Sequence, residues 1–114
     1  MDAVRMLLLF DYYGEMLTER QRMCLDLRYN QDMSLAEIAA ELGVSRQGVH
    51  DNIIRAEAHL QHMEEKTGCV RRYLQSRSIL QEIAALSRTL QAHSDPKVRQ
   101  TAEQIVKAAG SIEE

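Results

Sequence analysis

Apolar residues recur at helical spacing along most of the chain. Three sets each follow intervals of four, three and four positions: Val49, Ile53, Ala56 and Leu60; Ile79, Ile83, Leu86 and Leu90; and Val98, Ala102, Ile105 and Ala109. This period places the members of each set on one face of an α-helix. With one Pro and five Gly in 114 residues, the chain lacks the turn signals of a β-sandwich or barrel. We therefore predict an all-α fold of five or six helices.

Capping residues mark where two of these helices begin. Thr18 precedes Gln21, and Ser34 precedes Glu37, at the three-residue distance of a capping box. In that motif each side chain accepts a hydrogen bond from the backbone N–H of the other residue. We expect the helix that begins at the first box to bury Met23, Cys24 and Leu27.

Glycine and proline mark other predicted boundaries. Gly43 directly follows a helical pattern, and a glycine there can end a helix in the left-handed conformation without a Cβ clash. The helix that begins after Ser45 meets no breaker until Thr67 and Gly68. Asp95 followed by Pro96 is a helix-start signal for the last helix. We expect Gly110 to end that helix.

Residues 34–53, SLAEIAAELGVSRQGVHDNI, have the layout of a helix-turn-helix. A short helix is followed by a turn that holds Gly43 and then by a second helix. Ala39 has to be small because the second helix crosses closely over it, and Val49 helps to hold the helices at a crossing angle of ~90–120°. Together with LTERQR at residues 17–22, this layout resembles the promoter-reading region 4 of bacterial sigma factors.

The start of the second helix carries side chains that suit base recognition. In a DNA-binding helix-turn-helix these N-terminal residues contact base edges, with Arg suited to guanine and Gln or Asn to adenine. The candidate nucleic-acid-binding residues are Ser45, Arg46, Gln47, His50 and Asn52. Asp51 and Ile54 are expected to face outward on the same helix, where a carboxylate would repel phosphate and an aliphatic side chain gains little from DNA.

The distribution of charge makes DNA a less suitable partner. The chain has 14 Lys and Arg against 17 Asp and Glu, a net charge of −3. Residues 18–60, which contain the helix-turn-helix, hold five Arg and seven acidic residues, whereas phosphate neutralisation supplies most non-specific DNA affinity. We therefore favour a protein or ribonucleoprotein partner. The alternative is a DNA-binding transcriptional regulator that reads with the helix starting at Ser45.

Outward apolar residues on the second helix and basic residues after it are candidates for partner binding. The candidates are Ile54, Ala58, Arg71, Arg72 and Arg77. We divide the chain into residues 1–66, with the N-terminal helices and the helix-turn-helix, and residues 67–114, a helical extension for dimerisation or partner binding. The apolar stripes of the extension predict a homodimer. Packing of the extension onto the first helix of the same chain is the alternative.

The sequence contains no phosphate-binding glycine loop and no nucleophile motif, so we expect neither an enzyme nor a bound cofactor. His59 and His62 lie three apart on a helix but lack a third metal ligand at suitable spacing, and we expect them to be exposed. Cys24 and Cys69 are expected to be structural thiols. The apolar run at residues 6–10 is far shorter than the ~20 residues of a membrane span. We expect a cytoplasmic protein without membrane insertion.

The chain also resembles the YlxM-like family of bacterial helix-turn-helix proteins. The matching text is LFDYY at residues 9–13, LTERQ at 17–21, SLAEIA at 34–39 and VSRQGVHDNI at 44–53, and the resemblance covers about residues 6–80. The genes of this family lie beside those for the GTPase of the signal recognition particle or its receptor. The resemblance implies a sigma region 4-like fold and a regulatory or accessory role in co-translational protein targeting. It also implies that the particle's GTPase and RNA are the partners.

Overall fold

The computed structural model describes residues 2–112, and within that range it contains α-helices and no β-strand. The helices are α1 Ala3–Tyr13, α2 Glu19–Leu25, α3 Leu35–Leu42, α4 Arg46–Thr67, α5 Cys69–Thr89 and α6 Pro96–Ser111. Short 3-10 turns cover Gly14–Met16 and Leu90–Ala92, and a π-helical turn covers Asp26–Asn30. The all-α prediction is confirmed, with long helices following the helix-turn-helix.

The chain divides into two compact units after Val70. The first unit contains α1 to α4 and the first two residues of α5, and the second contains the rest of α5 with α6. The division therefore lies four residues beyond the boundary expected between residues 66 and 67.

Both predicted capping boxes are confirmed. At α2 the Thr18 hydroxyl accepts from the Gln21 backbone N–H at 3.2 Å, and the Gln21 side chain accepts from the Thr18 backbone N–H at 3.2 Å. At α3 the Ser34 hydroxyl and the Glu37 carboxylate make the same exchange, each at 3.1 Å. The hydrogen bonds from Ser34 lower the pKa of the Glu37 carboxyl, because they favour its charged form. These bonds satisfy backbone donors that the first helical turn leaves without partners.

The core of the first unit forms around the inward face of α4. Val49, Ile53, Ala56 and Leu60 are all buried, as their spacing predicted. They pack with fully buried residues from the preceding helices: Met6, Leu9, Leu25 and Ile38. Each large aliphatic side chain buried in this way contributes about 1.5–3 kcal/mol. The long helix therefore supplies the surface on which the shorter helices are held.

Two sequence expectations were wrong, one about which side chains of α2 are buried and one about where α6 ends. Met23 is 39% exposed, and Leu25 is buried with Cys24 instead. Cys24 and Leu25 lie three and four residues after Gln21 and share one face of α2, whereas Met23 lies on another. Gly110 does not end α6, which continues to Ser111. An exposed glycine costs a helix only about 1 kcal/mol, so the helix continues through it.

A buried carboxylate links α1 to the end of α4. Glu64 is 5% exposed, and its Oε1 accepts from the Tyr13 hydroxyl at 2.7 Å and from the Val70 backbone N–H at 2.9 Å. The Tyr13 hydroxyl also bonds to the Thr67 hydroxyl. Burial raises the pKa of Tyr13, and the Glu64 carboxylate acts in the same direction, so the phenol remains protonated and able to donate. The inward spacing of four residues from Leu60 was the sequence signal for this buried position.

Replacement of Val49 by Asp should unfold the first unit, because the side chain is fully buried and an unpaired carboxylate there costs several kcal/mol. Ala58→Asp is the matched control, since it adds the same charge at an exposed position of α4. We expect the control to cost less than about 1 kcal/mol. Chemical denaturation followed by circular dichroism measures both variants. Equal stability of the two would contradict the assigned inward face.

Replacement of Glu64 by Ala should lower the free energy of unfolding by roughly 2–4 kcal/mol, because two buried donors lose their acceptor. Glu64→Gln should cost less, since the amide oxygen can accept the same bonds. Glu65→Ala is the control at the adjacent exposed position, with an expected change within about 0.5 kcal/mol. Urea denaturation compares the three variants, and a Glu64→Ala protein as stable as the control would refute the network.

Candidate functional site

The turn between α3 and α4 sets the position of the candidate reading residues. Gly43 ends α3 in the left-handed conformation, with φ 68° and ψ 35°, as predicted. The Val44 backbone N–H donates to the Ala39 carbonyl at 3.1 Å. Ser45 then caps α4, where its hydroxyl accepts from the Gly48 backbone N–H at 2.9 Å. A turn of three residues thus fixes where the first residues of α4 lie.

Arg46, Gln47 and His50 line one open groove of about 390 Å³, together with Leu35 from the start of α3. The groove joins the N-terminal ends of the two helices of the motif. Leu35 is half-buried and also packs against the core of the first unit. Its position directly after the cap of α3 was the signal that it lies at this end of the motif.

The other two candidate nucleic-acid-binding residues are engaged within the motif. The Ser45 hydroxyl is the acceptor in the α4 cap. Asn52 is half-buried, and its Nδ2 donates to the Gly48 carbonyl at 2.9 Å. A side chain that donates to its own helix is less available for a base edge. The structure therefore brings three of the five candidates together in the groove.

Asp51 contacts two of the residues that line the groove. Its Oδ1 accepts from Gln47 Nε2 at 3.0 Å and lies 3.6 Å from His50 Nδ1. The side chains of His50 and Asp51 are 52% and 50% exposed. A solvent-exposed carboxylate at this position would repel a phosphate backbone, and it occupies a donor of Gln47.

The outward face of α4 continues as a regular stripe beyond the groove. Gln47, Asp51, Ile54 and Ala58 are exposed at intervals of four, three and four residues, opposite the buried stripe of the same helix. Ile54 is 53% exposed. This outward stripe combines amide, carboxylate and aliphatic groups on one rigid helix.

The basic candidates lie on α5. Arg71, Arg72 and Arg77 are exposed and belong to the second unit, whereas Ile54 and Ala58 belong to the first.

The cysteines and two of the histidines were the remaining candidates for reactive or metal-binding groups. Cys24 is buried, and burial raises the pKa of its thiol, which keeps it protonated and unreactive. Cys69 is half-buried, and His59 and His62 are exposed. Among residues 2–112, no three His, Cys, Asp or Glu side chains are grouped so that they could hold a metal ion. No helix in that range has the length and apolar character needed to cross a membrane.

Comparison with known proteins shows one family over most of the chain. Residues 1–101 match the family UPF0122, described as "Putative helix-turn-helix protein, YlxM / p13 like". A UPF0122 protein of Acetivibrio thermocellus is 45% identical over 101 residues, which covers 85% of this chain and 86% of that protein. A UPF0122 protein of Listeria welshimeri is 43% identical, covering 89% and 91%, and one of Desulforamulus reducens is 48% identical, covering 69% and 68%. The description names a helix-turn-helix protein and no enzymatic activity. The chain belongs to the UPF0122 family of YlxM-like helix-turn-helix proteins.

Proposed function

We propose that the protein is an accessory component of the signal recognition particle pathway that uses its helix-turn-helix to bind a protein or ribonucleoprotein. The observation that carries this proposal is the outward stripe of α4, in which the exposed Ile54 and Ala58 follow the exposed carboxylate of Asp51. Exposed aliphatic groups on a rigid polar surface are typical of protein interfaces. A phosphate backbone offers them no favourable contact.

The charge of the first unit also supports a protein surface as the partner. Residues 1–70 carry seven Lys and Arg against twelve Asp and Glu, a net charge of −5. Long-range repulsion from such a unit lowers the rate and strength of association with DNA, and the loss of phosphate contacts lowers non-specific affinity further. A basic protein surface is the better electrostatic complement.

The second unit has the opposite charge. Residues 71–114 carry seven Lys and Arg against five Asp and Glu, a net charge of +2, and the candidates Arg71, Arg72 and Arg77 are among them. A ribonucleoprotein presents both protein and phosphate surfaces, so it can complement an acidic and a basic unit of one chain. The GTPase of the signal recognition particle with its RNA, which the family resemblance implies as partners, is such an assembly.

Replacement of Ile54 by Asp should weaken binding to the particle's GTPase–RNA complex by at least about tenfold, because it places a second carboxylate in the contact surface. His59→Asp is the matched control, since it adds a carboxylate at another exposed position of α4 outside the stripe. Sedimentation velocity with the reconstituted complex measures both affinities. The proposal fails if the wild-type chain forms no complex at micromolar concentration, or if the two variants bind alike.

A DNA-binding regulator is the second candidate function, and the groove lined by Arg46, Gln47 and His50 favours it. If this groove reads DNA, Arg46→Ala should weaken binding to the preferred site by roughly 1–3 kcal/mol and relax selectivity for guanine there. Gln47→Ala should relax selectivity at a neighbouring position. Selection from a pool of random duplexes identifies the preferred site. Fluorescence anisotropy across a salt series then measures the affinity for that site and the slope of its dependence on salt concentration. If both variants leave the affinity, selectivity and salt slope unchanged, this function is excluded for the groove.

A further inference from the structure

The second unit buries small side chains and exposes large ones. Its buried residues are Ala84 and Ser87 of α5 and Ala102 and Ala109 of α6. Leu80, Val98 and Val106 are half-buried. Seven other large aliphatic side chains are 37–68% exposed, and among them are Ile79, Ile83, Leu86, Leu90, Ile105 and Ile112. We call these six residues the open face. In a unit of only two helices, burial of these small side chains leaves most of the large apolar surface in water.

Helix α5 is apolar on two adjacent sides. One side carries Ala84 and Ser87, which are buried. The other side carries Ile79, Ile83 and Leu86, which Leu90 of the following turn continues, and it lies about 100° away around the helix. Two apolar grooves, of about 250 Å³ and 240 Å³, lead from this side to α6, and Ile105 lines both of them. The open face is therefore continuous across the two helices.

We propose that a second copy of the chain covers the open face, and that two such helix pairs form a four-helix arrangement. The area suits a stable dimer. Helix α6 has 16 residues and is therefore about 24 Å long, and two adjacent helices are about 20 Å wide. The projected face is roughly 500 Å² on each copy, so two copies cover about 1,000 Å² in total, the size at which specific interfaces begin.

The pattern of the open face is also complementary to itself. Intervals of four, three and four residues read the same in both directions. An antiparallel copy related by a two-fold axis therefore places Ile79 opposite Leu90 and Ile83 opposite Leu86. The six residues of the face are apolar, and among the residues that the structure describes Lys97 is the one charged side chain that lines either of the two grooves. An apolar interface of this kind is insensitive to salt.

Sedimentation equilibrium of the full chain under reducing conditions tests the proposal. At high micromolar concentration we expect twice the 13.1 kDa of one chain, with little change between low and high salt. Leu86→Glu should raise the dimer dissociation constant by at least roughly 100-fold, because it buries an unpaired carboxylate. Ala85→Glu is the matched control, since it adds the same group at an exposed position on another side of α5. Circular dichroism verifies that both variants keep their helical content.

A monomer of the wild-type chain at high micromolar concentration would overturn the proposal, because no second copy would then cover the open face. Equal dissociation constants for Leu86→Glu and Ala85→Glu would also overturn it, because the dimer would then use another surface. If Leu86→Glu unfolds, Ile79→Glu at the end of the face replaces it, and the same weakening is expected.

Discussion

Burial of the inward stripe of α4 is the interaction on which the first unit depends. Val49, Ile53, Ala56 and Leu60 supply apolar surface along about three turns of one helix, and α1, α2 and α3 each bury side chains against it. The same helix begins at the turn of the motif and ends at the buried Glu64 network. Once this face is buried, helical geometry sets which residues face outward. The outward stripe is thus positioned by the core rather than by flexible loops.

The arrangement explains how a helix-turn-helix can be used without the charge of a DNA reader. The motif needs its cap, its left-handed glycine and its crossing residues to form, and none of these requires a basic surface. Asp51 bonds to Gln47 on the outward face, and Ile54 follows three residues later. The scaffold of a nucleic-acid reader therefore carries a surface whose chemistry suits a protein.

Local signals were enough to predict most of the fold. Each correct boundary, such as Ser34 with Glu37 or Gly43, depends on contacts within a few residues. The helical register after Gln21 was less predictable, because Met23, Cys24 and Leu25 are all apolar and only tertiary packing selects the pair that is buried.

The sequence predicted which residues of the candidate site are exposed, but it did not predict the hydrogen bonds that their side chains make. The exposed positions of Arg46, Gln47 and His50 follow from helical periodicity. The bonds of Asn52 to its own helix and of Asp51 to Gln47 depend on side-chain rotamers and local competition for donors, which spacing does not encode. Likewise, spacing predicted the apolar stripe of α5, but only the structure shows that it is exposed.

The central claim is that the outward stripe of α4 contacts a protein or ribonucleoprotein partner. Methyl NMR of the full chain tests it most directly, because Ile54 and Ala58 each carry a methyl reporter within the stripe, and the buried Ile53 provides an internal reference. On titration with the GTPase–RNA complex of the signal recognition particle, we predict that the Ile54 and Ala58 signals shift or broaden more than that of Ile53. A complex that forms while the Ile54 and Ala58 signals stay unchanged would contradict the account.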